Sequence, residues 1–303
     1  MTKENPFILH ALSPTKIVSP FDINMAYDSG FDNVATYTNI TIDDISDLVQ
    51  DIIFSRHPND CKKTGLFIAG EDAEEAIEML EKAKKAMVPP FEIPVFADPS
   101  GAFTTAAALV ACVERELKKH FDQDYKGCKA VVFGGTGPVG LATAVIAALQ
   151  GAETTIVDHF SLDTALQFSD EARKRYGVNL RATTAASDAD KARLLSDADV
   201  VFCTAKAGVQ VLNASVLGDA KKLKVAGDVN AVSPLGIEGV ELMHNGEPLK
   251  FAPQCPNAVG IGALAVGNVK YKLQQALLRE TLESDVPVYL DFRNAFEGAR
   301  KLV

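Results

Sequence analysis

A short apolar run, Ala130-Val131-Val132-Phe133, passes directly into Gly135-Thr136-Gly137-Pro138-Val139-Gly140, and a helix-forming stretch from Val139 to Gln150 follows. Strand, GxGxxG turn and helix in that order form a dinucleotide-binding signature, and nothing else constrains the fold of this chain as tightly. The three glycines have different tasks. Gly135 permits the tight turn, Gly137 lets backbone approach a diphosphate, and Gly140 lets the helix pack on the strand. A diphosphate placed there rests on the helix N-terminus, where unpaired N–H groups and the helix dipole attract anions. A purely structural glycine-rich turn is the competing reading, and the order of the flanking elements disfavours it.

The next strand, Thr154 to Val157, ends at Asp158, eighteen residues after Gly140. An acid about 20 residues beyond the fingerprint bonds the adenosine ribose hydroxyls. The cofactor expectation is therefore NAD, with NADP possible, because a 2′-phosphate would face this carboxylate. No Arg or Lys between Asp158 and Arg173 offers a counter-charge. His159 joins Asp158 as a cofactor candidate. Asp158 or Ser161 could instead cap the following helix, since both are good caps. Two further strand ends complete the set: Val200 to Cys203 leads into a small-residue loop with Ala205, and Lys224 to Ala226 leads into Gly227-Asp228-Val229-Asn230. Asp228 and Asn230 either meet the nicotinamide ribose or fix their own loop. Gly262 is the last cofactor candidate.

A chain of 303 residues is long enough for two domains, each with its own core. Short apolar runs at Phe7 to Leu12, Gly65 to Ala69 and Pro94 to Ala97 alternate with helical patterns at Asp43 to Ile53 and Ala73 to Met87. The latter is acidic in its first turns and basic in its last, as the helix dipole favours, and Pro89-Pro90 stops it. A helix from Thr104 to His120 leads onward. Beyond the glycine turn, Ser161 to Tyr176 reads as helix and Leu180 to Ala182 as strand. After Gly267, a helix over Val269 to Leu282, a strand over Val286 to Leu290 and a helix over Phe292 to Leu302 complete the chain. Alternating strands and helices imply an α/β fold with largely parallel sheets. The expected division is a Rossmann-like, doubly wound dinucleotide-binding domain over 121–268 and an α/β substrate domain over 1–120. The C-terminal segment 269–303 would complete the latter, with a cleft between the two.

A net charge of −10 argues against a nucleic-acid partner, whose phosphates call for clustered Lys and Arg. No apolar run approaches the roughly 20 residues of a membrane span, and Met1 to His10 lacks a signal-peptide layout, so a cytoplasmic, non-membrane protein is expected. The cysteines, Cys61, Cys112, Cys128, Cys203 and Cys255, have no zinc spacing and read as reduced packing thiols. With the five histidines scattered as well, neither a metal site nor a nucleophilic triad is expected.

Several segments resemble the NAD(P)-dependent methylenetetrahydromethanopterin dehydrogenases. They are Ser19-Pro20-Phe21-Asp22-Ile23-Asn24-Met25-Ala26-Tyr27-Asp28-Ser29-Gly30, Val88-Pro89-Pro90-Phe91, Asp98-Pro99-Ser100-Gly101-Ala102-Phe103-Thr104-Thr105-Ala106, Phe133 to Gly140, Asp228-Val229-Asn230-Ala231, and Gly260-Ile261-Gly262-Ala263-Leu264-Ala265-Val266-Gly267-Asn268-Val269-Lys270-Tyr271-Lys272. The likeness runs nearly end to end and is more specific than the glycine fingerprint. It implies oxidation of a methylene-bridged tetrahydropterin to the methenyl form, with hydride passing to the nicotinamide. Some members of that family also accept methylenetetrahydrofolate. Its NADP-preferring members carry a basic residue just after the second strand, where this chain has Asp158, His159 and Phe160.

The one-carbon bridge lies between two nitrogens, whose lone pairs stabilise the cation left when hydride departs. No proton need move in that step. The protein has to align donor and acceptor, exclude water and complement developing positive charge. Lys270 and Asp98 are the catalytic candidates on this view, and Asp22, Asn24, Ser100, Thr104 and Thr105 the substrate-binding ones. A carboxylate would accept pterin N–H bonds, and Lys270 would bond a pterin carbonyl. Helix capping by Thr104 and simple solvation of Lys270 are the alternatives. The partner is then a small pterin, and a homo-oligomer is expected. A methylenetetrahydrofolate dehydrogenase and a non-catalytic dinucleotide sensor are the rival functions.

Overall fold

Strands buried on both faces and joined by helical crossovers make two parallel sheets in the computed structural model, which describes residues 5–303. Residues 1–4, the first of the Met1–His10 segment read for export signals, lie outside the described residues. The chain clusters into two units, one of residues 1–104 and 271–298, the other of residues 105–270 and 299–303.

In chain order the first stretch contains β1 (Ile8–Ser13), α1 (Pro20–Asp28), β2 (Asn33–Thr38), α2 (Ile45–Phe54), α3 (Pro58–Cys61), β3 (Thr64–Ile68), α4 (Ala73–Ala86), β4 (Val95–Ala97) and α5 (Ala102–Phe121). The second contains β5 (Lys129–Phe133), α6 (Pro138–Leu149), β6 (Glu153–Asp158), α7 (Leu162–Tyr176), β7 (Arg181–Thr184), α8 (Asp188–Leu195), β8 (Val200–Cys203), α9 (Ala214–Gly218), β9 (Val225–Asp228), β10 (Asn245–Pro248) and β11 (Val259–Ile261). Helix α10 (Ala263–Glu283), β12 (Tyr289–Leu290) and α11 (Phe292–Ala299) close the chain.

The first unit is a five-stranded, all-parallel sheet in the order β12-β4-β3-β1-β2. Its central strand β3 is buried at every residue, which suits a parallel sheet covered by helices on both faces. Connections from β1 and β3 run in opposite directions, so the carboxyl ends of these two strands form a topological switch point. The second unit has seven strands in the order β10-β11-β9-β8-β5-β6-β7, all parallel except the β10–β11 pair. Read from β7 to β11 this is the doubly wound Rossmann order, with β10 added as an antiparallel edge. Its switch point lies between β5 and β8. A bidentate pair from the Arg300 guanidinium to buried Glu114, at 2.8 and 2.6 Å, ties the chain end to α5 within this unit.

Local chemistry moves several boundaries from where the sequence pattern puts them. Helix α5 starts at Ala102, before the Thr pair, because Asp98 accepts from the N–H groups of Phe103 and Thr104 and so sets the first turn. Helix α10 starts at Ala263, which puts Gly267 inside the helix and Lys270 in its second or third turn instead of just past a glycine-rich turn. Alanine-rich Ala263 to Val266 favours helix, and one interior glycine costs only about 1 kcal/mol. Helix α1 has a Ser19 cap and Pro20 at its first position, both recognisable start signals. Strand β2 is an edge strand with exposed and half-buried residues, too weakly patterned to be seen.

Candidate functional site

The turn after β5 is built by backbone crowding at two of its glycines and by open space at the third. A Cβ on Gly135 would lie 2.7 Å from the Ile156 side chain and one on Gly140 would lie 2.1 Å from the Gly134 carbonyl oxygen, so both positions are held by internal packing. Gly137 differs. A Cβ there would meet nothing nearer than the Gly134 carbonyl oxygen at 3.5 Å, an ordinary contact, and its φ of −79° suits any residue. The protein's own packing does not require a glycine at 137, whereas a diphosphate lying against the backbone would.

Gly137 is the N-cap of α6, and no side chain caps that helix. Helices α1, α4, α7, α8 and α9 are each capped by a side-chain oxygen that accepts a first-turn N–H. Pro138 occupies the first helical position, where a missing N–H costs nothing, and Pro138 and Val139 are both half-buried. The first-turn donors of α6 and its dipole are thus left for an anion. The cradle fits the diphosphate of a nicotinamide dinucleotide, which would lie on Gly137 and the start of α6.

The β5–β8 switch point closes tightly. A Cβ on Gly134, whose φ is +75°, would lie 2.8 Å from the Ala205 backbone, and Thr204 donates through both N–H and hydroxyl to the Phe133 carbonyl, each at 2.9 Å. Beside this seam a cavity of about 440 Å³ opens, lined among others by Thr136, Asp158, His159, Ala205 and Lys206. Asp158 is half-buried at its rim. It accepts from the Thr136 hydroxyl at 2.6 Å and from the N–H groups of Phe160 and Ser161 at 2.8 Å each. Burial opposes ionisation there, but the hydroxyl and the two backbone donors prevail and hold the carboxyl below its ordinary value. Ser161 is the N-cap of α7, and Asp158, which also lines the cavity, holds the backbone just before that helix. His159 is exposed, its ring edge-on to Phe160 at 4.4 Å.

Asp228 and Asn230 are both buried and hold loops together. Asp228 accepts from the N–H groups of Asn230 and Ile237, and burial still raises its pKa. Asn230 accepts from the N–H groups of Gly208 and Val232 and donates to the Pro234 carbonyl, joining the loops that follow β8 and β9. Of the two roles read from the sequence, loop fixing is the one with visible partners. Gly262 is likewise accounted for by packing, since a Cβ there would lie 2.0 Å from the Glu241 carbonyl oxygen.

In the first unit, Asp98 follows β4 and is fully buried. Besides the two backbone donors on Oδ1, its Oδ2 accepts from the Thr104 hydroxyl at 2.7 Å. Thr104 therefore lies inside α5 as a partner of the cap. Ser100 is exposed in the left-handed region at φ 50°, its hydroxyl donating to the Gly70 carbonyl, and Thr105 is half-buried. Asp22, on α1, is buried and accepts from the Gln274 amide at 2.8 Å, while Asn24 on the same helix is exposed. Lys270 on α10 is half-buried. The structure brings Asp98, Ser100 and Thr104 together at the carboxyl end of β4, and it adds Gln274 as the partner of Asp22, which the sequence pattern did not single out.

Among the described residues no cluster of three metal-ligating side chains exists, and no helix is long and apolar enough to cross a membrane. All five cysteines are free and buried, and burial pushes the Cys112 and Cys128 thiols up to about 11, which makes them poor nucleophiles.

Sheet order, uncapped helix and glycine cradle define an α/β protein with a Rossmann-type, dinucleotide-binding unit. The NAD-dependent malic enzyme of Thermotoga maritima has a similar fold, with a TM-score of 0.57 at 14% identity over 97% of this chain and 84% of that one. Sequence narrows the class. Residues 20–100 match the family model described as methylene-tetrahydromethanopterin dehydrogenase, N-terminal. The chain is 46% identical, over 96% of its length and 97% of the relative's, to the NAD(P)-dependent methylenetetrahydromethanopterin dehydrogenase of Methylorubrum extorquens. It is 33% identical to the bifunctional protein MdtA of the same organism, over 94% of each. The chain belongs to the methylenetetrahydromethanopterin dehydrogenase family.

Proposed function

We propose that this protein oxidises methylene-tetrahydromethanopterin to the methenyl form by direct hydride transfer to NAD(P). The observation that carries this reading is the 46% identity, over 96% of the chain, to an enzyme of that name, together with an open cradle at Gly137. Bound NAD(P) supplies the hydride acceptor. The chain's contribution is binding, alignment and electrostatics. Gly137 and the first turn of α6 hold the diphosphate, Thr136 and Asp158 bound the adenosine end, and Ala205 with the loop fixed by Asp228 and Asn230 walls the far side of the turn.

The pterin is assigned to the carboxyl edge of the first unit's sheet, near Asp22, Asn24 and Ser100, and Thr105 and Lys270 are the further candidates for binding it. Asp98 is a positioning residue in this reading. It fixes the start of α5 and keeps a negative charge at that edge, where positive charge develops as hydride leaves. NAD is the favoured cofactor because Asp158 faces the ribose side of the cavity. The protein works as a homo-oligomer in the cytoplasm, and no metal enters the reaction.

The test mixes enzyme, NAD and methylene-tetrahydromethanopterin and follows nicotinamide absorbance, with methylenetetrahydrofolate in parallel. Reduction with the methanopterin substrate supports the reading. Faster reduction with the folate would reassign the substrate, and tight NAD binding with no reduction by either would favour a dinucleotide sensor.

A further inference from the structure

The cavity at the adenosine end has an electrostatic feature that the local sequence around Asp158 does not show. Two lysines line it, Lys191 from α8 and Lys206 from the loop after β8, and Asp158 is its one acidic residue. Those lysines reach it from positions 33 and 48 residues further along the chain (191 − 158 and 206 − 158).

Their situations differ. The Lys191 side chain is only 12% exposed and is paired with Asp188 at 3.2 Å, which offsets its charge. Lys206 is exposed, its ammonium has no hydrogen-bond or ion-pair partner among the described residues, and its stem is long enough to swing over the cavity mouth. Asp158 is also less free than an acid in this position would be if it served the ribose alone, because its oxygens already accept from three donors. Those donors spread its negative charge into the turn and lower the repulsion that a phosphate on the ribose would meet.

We propose that Lys206 is the counter-charge for the 2′-phosphate of NADP, so that the cavity accepts both dinucleotides although Asp158 alone would select NAD. This rests on the reading of the cavity as the adenosine end of the cofactor site. Lys206 acts as a point charge on a mobile stem that leaves the ribose hydroxyl to Asp158 when the phosphate is absent.

Binding of three probes to the purified protein, measured by calorimetry without substrate, tests this. The probes are ADP, adenosine 2′,5′-bisphosphate and 2′-AMP, against wild type, Lys206→Ala and Lys206→Arg. Lys206→Ala should lower the affinity for 2′,5′-bisphosphate relative to that for ADP by about tenfold. Lys206→Arg should restore the ratio, and raised salt should shrink the wild-type preference. An unchanged ratio in Lys206→Ala overturns the proposal while leaving the cofactor site intact. Equal weakening of all three probes also overturns it, since the lysine would then serve phosphates in general. If wild type binds neither ADP nor the bisphosphate, the cavity is not the adenosine end, and the underlying reading falls with the proposal.

Discussion

The glycine turn of the second unit and the Asp98 corner of the first are both sheet-edge loops leading into a long helix, yet they satisfy that helix in opposite ways. At Asp98 a buried carboxylate meets two backbone N–H groups and a hydroxyl of its own helix, so the corner is chemically complete. At Gly137 no side chain caps the helix and an added Cβ would be tolerated, so its first-turn donors have no side-chain acceptor, which is what the proposed diphosphate site needs. Residue type is explained by internal structure at the Asp98 corner, whereas at Gly137 packing alone does not explain the glycine.

The contrast can be broken most severely within the turn itself. Gly140→Ala forces a methyl group onto the Gly134 carbonyl and should destabilise the fold by about 3 kcal/mol or more, read as a lower Tm. Gly137→Val should cost no more than about 1 kcal/mol, from a poorer N-cap, yet weaken NAD binding by about a hundredfold or more. Unchanged NAD affinity in folded Gly137→Val would remove the diphosphate from this turn. At the opposite corner, Asp98→Asn keeps an acceptor for the two N–H groups but turns an amide toward Thr104, and should lower stability by about 1–2 kcal/mol. If its charge also complements the developing cation, kcat falls in this variant while KM changes little. Lys270→Ala should instead raise KM with kcat nearly kept, as expected for an interaction equal in ground and transition states. Matching losses of kcat in both variants would contradict the division of roles.

Smaller effects attach to Asp158. Asp158→Ser combined with His159→Arg should move the kcat/KM ratio toward NADP by about tenfold, through lost repulsion and an added guanidinium. An unchanged ratio would take Asp158 away from the ribose. Because its folded pKa lies below the ordinary 3.8, its contribution to stability is complete above that value and fades as pH falls through the folded pKa. The stability gap between wild type and Asp158→Ala should accordingly narrow on acidification below pH 3.8, and a gap that widens would give the opposite sign.

The second unit was the more legible part of the molecule. Strands such as Val200 to Cys203 are apolar throughout, and Gly135, Gly137 and Gly140 stand at a spacing whose reason is mechanical. Gly267 suggests a break and so points to a helix start at Val269, whereas a helix anchored at Ala263 carries one glycine easily. Asp228 and Asn230 were ambiguous because a loop-fixing carboxylate and a ligand-binding one have the same letter; only their partners tell them apart. Lys206 was invisible as a charge near Asp158, since the fold, not the sequence spacing, brings both to one cavity.

Direct hydride transfer in this enzyme family needs no essential proton-transfer residue, because the two nitrogens beside the methylene carbon hold the charge that develops. The measurement that tests it most directly is single-turnover reduction of NAD(P) by methylene-tetrahydromethanopterin deuterated at the methylene carbon, followed at several pH values. Deuterium is expected in the reduced nicotinamide, with a chemical step that slows on deuteration and a rate that varies little with pH wherever the fold and both ligands stay intact. Deuterium released to solvent, or a steep pH dependence abolished by Asp98→Asn or Lys270→Ala, would show an obligatory acid or base and contradict it.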